Sequence, residues 1–382
     1  MRGLFHKLAS THGNMAQTKE RTALFLIHSL AEAGSRGKIA LQGGNFLAST
    51  RIQLGPAIKA ASNLGLQPDI RNLRSEKPDY LSKIKNPKIC IFGKLSHPKS
   101  EFAKRIAIAN LAAIPVLKRR RIPIAVAYSD NLATKEDSAI AELYRNLLWH
   151  ADATIYPCKA MAELGRTWYD KNNPPKEWII EDPCQIQKAP FHELSREKPC
   201  RIIWFGHSSN ASYLFKQIPL LTEECEAWHS FELTVLSDAE TTKKAQQILS
   251  QCKSKRPWMF RSSAWDTSKQ PEQLQKELER AHITIIPSDE NNPRKSAASH
   301  NRAVDAVMSG CMTIATPLSS YRELQKVLLL TNNFPKSLNE GIAQYERLTN
   351  KWADLRSENL SRFSKTNNSK NWEKFLIKTI LN

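Results

Sequence analysis

Arg294 and Lys295 stand directly before Ser296, with Ser299 and Asn301 close behind, at the opening of a segment with helical apolar spacing. Two cations and small hydroxyl residues at a helix start supply charge, free amides and a favourable dipole, which is what a phosphate group needs. His97 and Asp130 could move a proton. Each falls just past the carboxyl end of an apolar run, Lys88–Gly93 and Ile122–Tyr128 respectively. In a parallel sheet those ends share one edge, the edge where ligands bind. Both residues also have plain structural readings, His97 as a loop histidine and Asp130 as a helix N-cap or Asx-turn. Gly43 and Gly44 end a short apolar run from Lys38, and Arg51 precedes a helical stretch, so this loop allows a ligand to approach the backbone closely. A tight turn explains the glycines equally well. Gly206, with His207 after it, closes the run Arg201–Phe205 in the same manner. The chain has no Gly-x-Gly-x-x-Gly, no Walker A sequence and no Asp-x-Asp at a strand end. A bound metal or resident cofactor is therefore not expected.

The elements that must position these residues alternate. Ile283–Ile286 reads as a buried strand stopped by Pro287, and a polar loop leads into a helix carrying Ala303, Val304, Ala306 and Val307. Ser309-Gly310 closes that helix, and Met312–Ala315 is a second strand, so the simplest packing is a parallel β-α-β unit. Strand and helix patterns recur on both sides of an irregular stretch, 181–199, that contains Pro183, Pro190 and Pro199. Phe260–Asp266 is expected to be a loop, with Trp265 in it. Four regions follow: a basic leader, partly disordered, over 1–35; a first α/β domain over 36–190; a second over 191–349; and terminal helices over 350–382. The run Ala23–Leu30, broken by His28, is read as a short helix within the leader.

Arg294-Lys-Ser-Ala-Ala-Ser-His-Asn-Arg-Ala-Val-Asp-Ala-Val-Met-Ser-Gly-Cys-Met-Thr-Ile-Ala-Thr resembles the donor-binding segment of GT-B glycosyltransferases, in forms where Lys-Ser-x-Asn-Arg replaces a Glu-rich version. Tyr128-Ser-Asp-Asn also resembles that family's strand ending in an Asp-rich turn. The resemblance is strongest over 201–325 and weaker over 38–190. It implies an α/β chain of two Rossmann-like domains whose parallel sheets face across a cleft. It also implies a hexosyltransferase-like enzyme of glycan biosynthesis that needs no metal and takes a nucleotide-sugar as co-substrate. By that analogy Arg294 and Lys295 meet the diphosphate, Ser296 and Asn301 accompany them, and Asp305 replaces a Glu that bonds the ribose hydroxyls. Gly206 and His207 lie near the phosphates, and Gly43, Gly44 and Arg51 lie on the acceptor side. Retaining members usually carry a second Glu eight residues before the ribose carboxylate; here that position is Ala297.

Composition bounds the alternatives. The 382 residues are 41% hydrophobic, enough for two cores. The net charge of +19 fits an anionic small substrate, an anionic membrane surface or nucleic acid. Lys and Arg are spread along the chain, and no zinc-finger or RNP motif is present, which weighs against nucleic acid. The cluster Lys118-Arg-Arg-Arg121 reads either as a helix C-terminus complementing its dipole or as a membrane-facing patch. Seven scattered cysteines without a Cys-x-x-Cys pair suit a reducing compartment, hence a cytoplasmic protein, with peripheral contact on a membrane's inner face left open. The acceptor is a glycan, lipid or small molecule. A GT-B scaffold without catalysis, a nucleotide-sugar epimerase-like enzyme on the same fold and a basic nucleic-acid binder remain the competing readings.

Overall fold

The computed structural model describes residues 21–27, 50–71, 81, 84–96, 99–134 and 138–381. The first sheet is parallel throughout. Its strands are β1 (Thr22–Leu26), β2 (Gln67–Arg71), β3 (Pro87–Phe92), β4 (Ile124–Ala127), β5 (Ala153–Tyr156) and β6 (Lys176–Ile179), in the order β2-β1-β3-β4-β5-β6. Successive residues of β1 serve opposite layers: Leu24 and Leu26 pack with Ile106 and Leu117, whereas Ala23 and Phe25 pack with Ala57 and Ile58. The helix expected over 23–30 within a leader of 1–35 is thus corrected, because Thr22–Leu26 is an interior strand of the first domain. A strand covered on both faces is a continuous apolar run, and periodicity alone does not separate that from a short buried helix. The expected strand from Lys38, with Gly43 and Gly44, lies outside the described residues.

The second sheet is also parallel. It contains β7 (Cys200–Phe205), β8 (Phe231–Ser237), β9 (Trp258–Ala264), β10 (Ile283–Ile286), β11 (Met312–Ala315) and β12 (Leu329–Leu330), in the order β12-β11-β10-β7-β8-β9. The loop expected over 260–266 is mostly this edge strand, β9, and the loop itself starts at Trp265. β9 has little buried apolar surface to announce it. The helix Asn301–Met308 ends where Gly310 takes φ +84°, as its C-terminal glycine was expected to.

Two connections fix the domains against each other. The stretch after β6 is strapped to the second domain: Ala189 N–H donates to the Met308 carbonyl at 2.9 Å, and the Arg356 guanidinium lies 4.9 Å from the Phe191 ring centroid. The helix Lys365–Leu381 returns to the first domain, burying Trp372, Phe375 and Leu376 beside Ala57 and Ile91. No described helix is long and apolar enough to cross a membrane. All seven cysteines are free thiols, six of them buried.

Candidate active site

In each sheet the strand order reverses once, between β1 and β3 in the first and between β7 and β10 in the second. At such a switch point neighbouring connections leave on opposite faces and open a crevice at the strands' carboxyl ends. The two crevices face each other. Between them lies a cavity of about 500 Å³ lined by both domains and by the segment that joins them.

The second domain supplies most of the cations. After β10, the loop bends back so that Lys295 Nζ donates to Asn210 Oδ1 at 2.7 Å, tying the loop to the turn that follows β7. Burial depresses the Lys295 pKa; Arg302, Arg294 and Lys94 add to the depression, and Asp130 opposes it. Arg294 is exposed on the same wall. Arg302 reaches in from the first turn of Asn301–Met308 beside the Tyr321 hydroxyl, and its buried Nη1 meets no partner at hydrogen-bonding geometry among the described residues. A β-carbon on Gly206 would lie 3.3 Å from the Trp204 ring and 3.4 Å from that nitrogen, so Gly206 borders the Arg302 guanidinium. A buried guanidinium donor facing a cavity is costly unless something in the cavity accepts from it. His207 Nδ1 accepts from the Ser209 amide at 3.2 Å, so its ring caps the turn after β7.

The first domain contributes a charge pair. Lys94, just beyond β3, bonds Asp130 Oδ2 at 2.5 Å, beyond β4. Burial works to raise the Asp130 carboxyl, but Lys94, Lys295 and Arg294 outweigh it and hold the group below its ordinary value. With 41% of its side chain exposed, Asp130 is an ionised carboxylate facing the cleft. The loop after β10 touches the first domain directly: Asn131 Nδ2 donates to the Pro293 carbonyl at 2.9 Å, and Cys158 Sγ to the Ala297 carbonyl at 3.6 Å. Ala297 is buried in the first domain's core.

Two aspartates sit where the domains join. Asp182 lies past β6, is 5% exposed and lines the cavity. It accepts from Ser299 Oγ and from the Gln53 side chain, so it binds the joining segment, the loop after β10 and the first domain's Thr50–Leu54 turn together. Burial pushes its pKa up to about 6, with Ser299 and Gln53 opposing and Asp130 and Asp305 adding. Asp305 also lines the cavity, but both oxygens are engaged: Gln185 N–H donates to Oδ1 at 2.9 Å and Gln185 Nε2 to Oδ2 at 2.8 Å.

Of the residues singled out by sequence, Asp130, Gly206, His207, Arg294, Lys295, Asn301 and Asp305 converge on the cavity. Ser296 does not line it; its amide donates to the Asn292 carbonyl and its carbonyl accepts from Ser319, because the segment is still turning there and the helix begins at Asn301. His97 lies outside the described residues. Arg51 is in the turn Thr50–Leu54, with its side chain outside the described part. Lys94, Asp182, Gln185 and Tyr321 were missed. A cation one residue past Gly93 at a strand end was the available signal for Lys94; the others are brought in by tertiary packing alone. Among the described residues, no group of His, Cys, Asp or Glu is arranged to hold a metal ion.

No family model matches the chain, and no curated protein sequence does. Solved structures do match it. HepE of Anabaena, in complex with UDP, superposes with a TM-score of 0.63 at 11% identity, covering 94% of this chain and 100% of its own. The lipopolysaccharide outer core galactosyltransferase WaaB, in its apo form, gives 0.57 at 12% identity, covering 93% and 99%. TarM gives 0.53 at 14% identity over 78% of this chain, which spans 57% of TarM's length. Two parallel-sheet domains that meet at their strand ends, with this order of strands and helices, give the chain the GT-B glycosyltransferase fold.

Proposed function

We propose that the chain transfers a sugar from a nucleoside diphosphate donor to an acceptor hydroxyl across this cleft. The observation that carries the reading is the unpartnered Arg302 Nη1, which opens onto Gly206 beside Lys295 and Arg294. A diphosphate supplies acceptor oxygens to all three cations, and the turn after β7 lets it approach the backbone. That HepE was solved with UDP and with UDP-glucose supports the same assignment. In transfer, the bond from the anomeric carbon to the β-phosphate oxygen breaks, the acceptor oxygen bonds that carbon, and the hydroxyl proton passes to a base. The cations offset the charge that develops on the leaving diphosphate, so turnover is expected to survive EDTA. Asp130, ionised and open to the cleft, is the described carboxylate suited to take the proton; His97 stays a candidate from its place in the sequence. Ala297 removes the carboxylate that retaining relatives usually carry there, which favours inversion. The free thiols and the nucleotide-sugar substrate fit a cytoplasmic site of action.

The test is release of UDP, GDP or ADP from a panel of donor sugars, with titration calorimetry of the same nucleotides. Affinity for none of them sinks the reading. Nucleotide affinity without release, even with acceptors supplied, would favour a binding protein instead, the reading that Ala297 and the Gln185-engaged Asp305 keep in play.

A further inference from the structure

We propose that the pole of the first domain opposite the cleft is a docking surface for a bilayer rich in anionic phospholipid. The strands of the first sheet are parallel, so their amino ends share one edge, the far edge from the cleft. The segments entering β3, β4, β5 and β6 (85–88, 119–123, 149–152 and 171–176) carry seven Lys or Arg and a single Asp. That carboxylate, Asp152, is already engaged: it bonds Lys118 Nζ at 3.1 Å and accepts from the Ile124 amide at 2.7 Å. Asp170 flanks the last of these segments, and Arg120 donates to the Leu81 and Ile84 carbonyls, but among the described residues none of the seven cations forms an ion pair. Trp149, on the same edge, is 51% exposed, an amphipathic ring of the kind that settles at headgroup level. A depression of about 410 Å³, lined by Lys88, Arg120 and Arg121, opens between the starts of β3 and β4 and the end of Lys365–Leu381. Arg121 holds φ +55°, a conformation glycine would adopt at lower cost, with its side chain in the rim of that depression.

Clustered cations, an exposed tryptophan and a cation-lined depression on one face match an anionic interface better than a protein partner. Nucleic acid offers phosphates too, but among the side chains entering these strands Trp149 is the sole exposed large apolar group, too little for base stacking along a strand of bases. The intervening strands are four to six residues long, so a docked bilayer and the cleft would be separated by roughly 13–20 Å. The acceptor group would then project well above the headgroups.

Co-sedimentation of the full chain with phosphatidylcholine vesicles, with and without one-third phosphatidylglycerol, tests this. The chain should pellet only with the anionic vesicles and be released by 0.5 M salt. The triple variant Lys88→Glu, Arg119→Glu, Arg121→Glu should lose about 10²-fold in vesicle affinity. A charge-matched triple on the second domain, Lys243→Glu, Lys253→Glu, Arg256→Glu, should bind as the unaltered chain does. Trp149→Ala, which leaves charge alone, should weaken binding severalfold and guards against misfolding of the charge variants. Equal loss in both triples, absence of vesicle binding, or a single-stranded RNA that binds more tightly than the vesicles and with the same mutational pattern would overturn the proposal. None of these readouts involves the donor cleft, so their failure is separable from failure of the transferase reading.

Discussion

Arg302 and Lys295 share one wall but differ in what holds them. Lys295 already has Asn210 as a partner, whereas Arg302 Nη1 has none among the described residues. Lys295→Ala should weaken a nucleoside diphosphate by roughly 2–3 kcal/mol, the scale of a hydrogen bond to a charged group. Arg302→Met, which keeps the aliphatic stem, should weaken it as much while leaving the fold intact or firmer, since it removes an unsatisfied buried donor. Calorimetry alongside urea unfolding separates the two effects; unchanged nucleotide affinity in Arg302→Met places the diphosphate elsewhere. Asp182 gives a pH signature. Its folded-state pKa, about 6, lies above the unfolded carboxylate value, so the neutral form is the one folding favours. Its contribution is therefore full below about pH 4 and lost as pH rises through 6. Asp182→Asn should abolish a pH-dependent loss of about 2–3 kcal/mol across that window. Parallel urea curves for the unaltered chain and the variant at pH 4.5 and 7.5 check it, and identical pH dependence would rule the assignment out.

At the scale of elements, the helix Asn301–Met308 and the segment joining the domains depend on one glycine. Gly310 takes φ +84°, and a β-carbon there would collide with the Pro190 carbonyl oxygen. Gly310→Ala meets two penalties at once, a left-handed backbone and a clash with another backbone, and should destabilise by at least about 1–2 kcal/mol. The same change should loosen the strap around Asp305, so protease cleavage near residues 185–190 is the more telling readout. The terminal helix makes a comparable commitment at the other end. Phe375 is fully buried, 5.5 Å from the Trp178 ring and 5.6 Å from Trp372 in edge-on contacts. Phe375→Ala should cost about 3–5 kcal/mol in unfolding experiments that follow the first domain. A loss below 1 kcal/mol would mean that this helix is not part of the first domain's core in solution.

For the molecule as a whole, the closed cleft rests on a few direct contacts. Asn131 bridges the domains through Pro293, and its Oδ1 accepts from the Tyr128 hydroxyl at 2.6 Å. Asn131→Ala removes the bridge at 0% exposure without touching a cation of the cleft. The expected result is a larger radius of gyration by small-angle scattering, brought back by saturating nucleotide. An unchanged radius would show that the linker and terminal helix alone set the domain angle.

Much of this architecture was legible in the order of residues. Ile283–Ile286 and Met312–Ala315 were predicted to the residue, because a short buried strand bounded by Pro287 on one side and Gly310 on the other has one simple local reading. The alternation of such runs with helical spacing already required parallel sheets, and parallel sheets put Asp130, Gly206 and Lys295 on ligand-facing edges. β1 was misread because strands buried on both faces lose the alternation that marks a strand, and β9 because an edge strand buries too little. The roles of Asp182 and Gln185 had no local signal at all, and Arg302 stood in the quoted Asn-Arg pair without a role assigned to it. Asp182 meets Ser299 across 117 positions, and Gln185 meets Asp305 across 120. Sequence by itself determined which elements form and which strand ends carry chemistry, since periodicity, turns and caps act over a few residues. The tertiary structure decided which carboxylates are already engaged and which cation is left unpartnered, since those depend on burial and on contacts between distant segments.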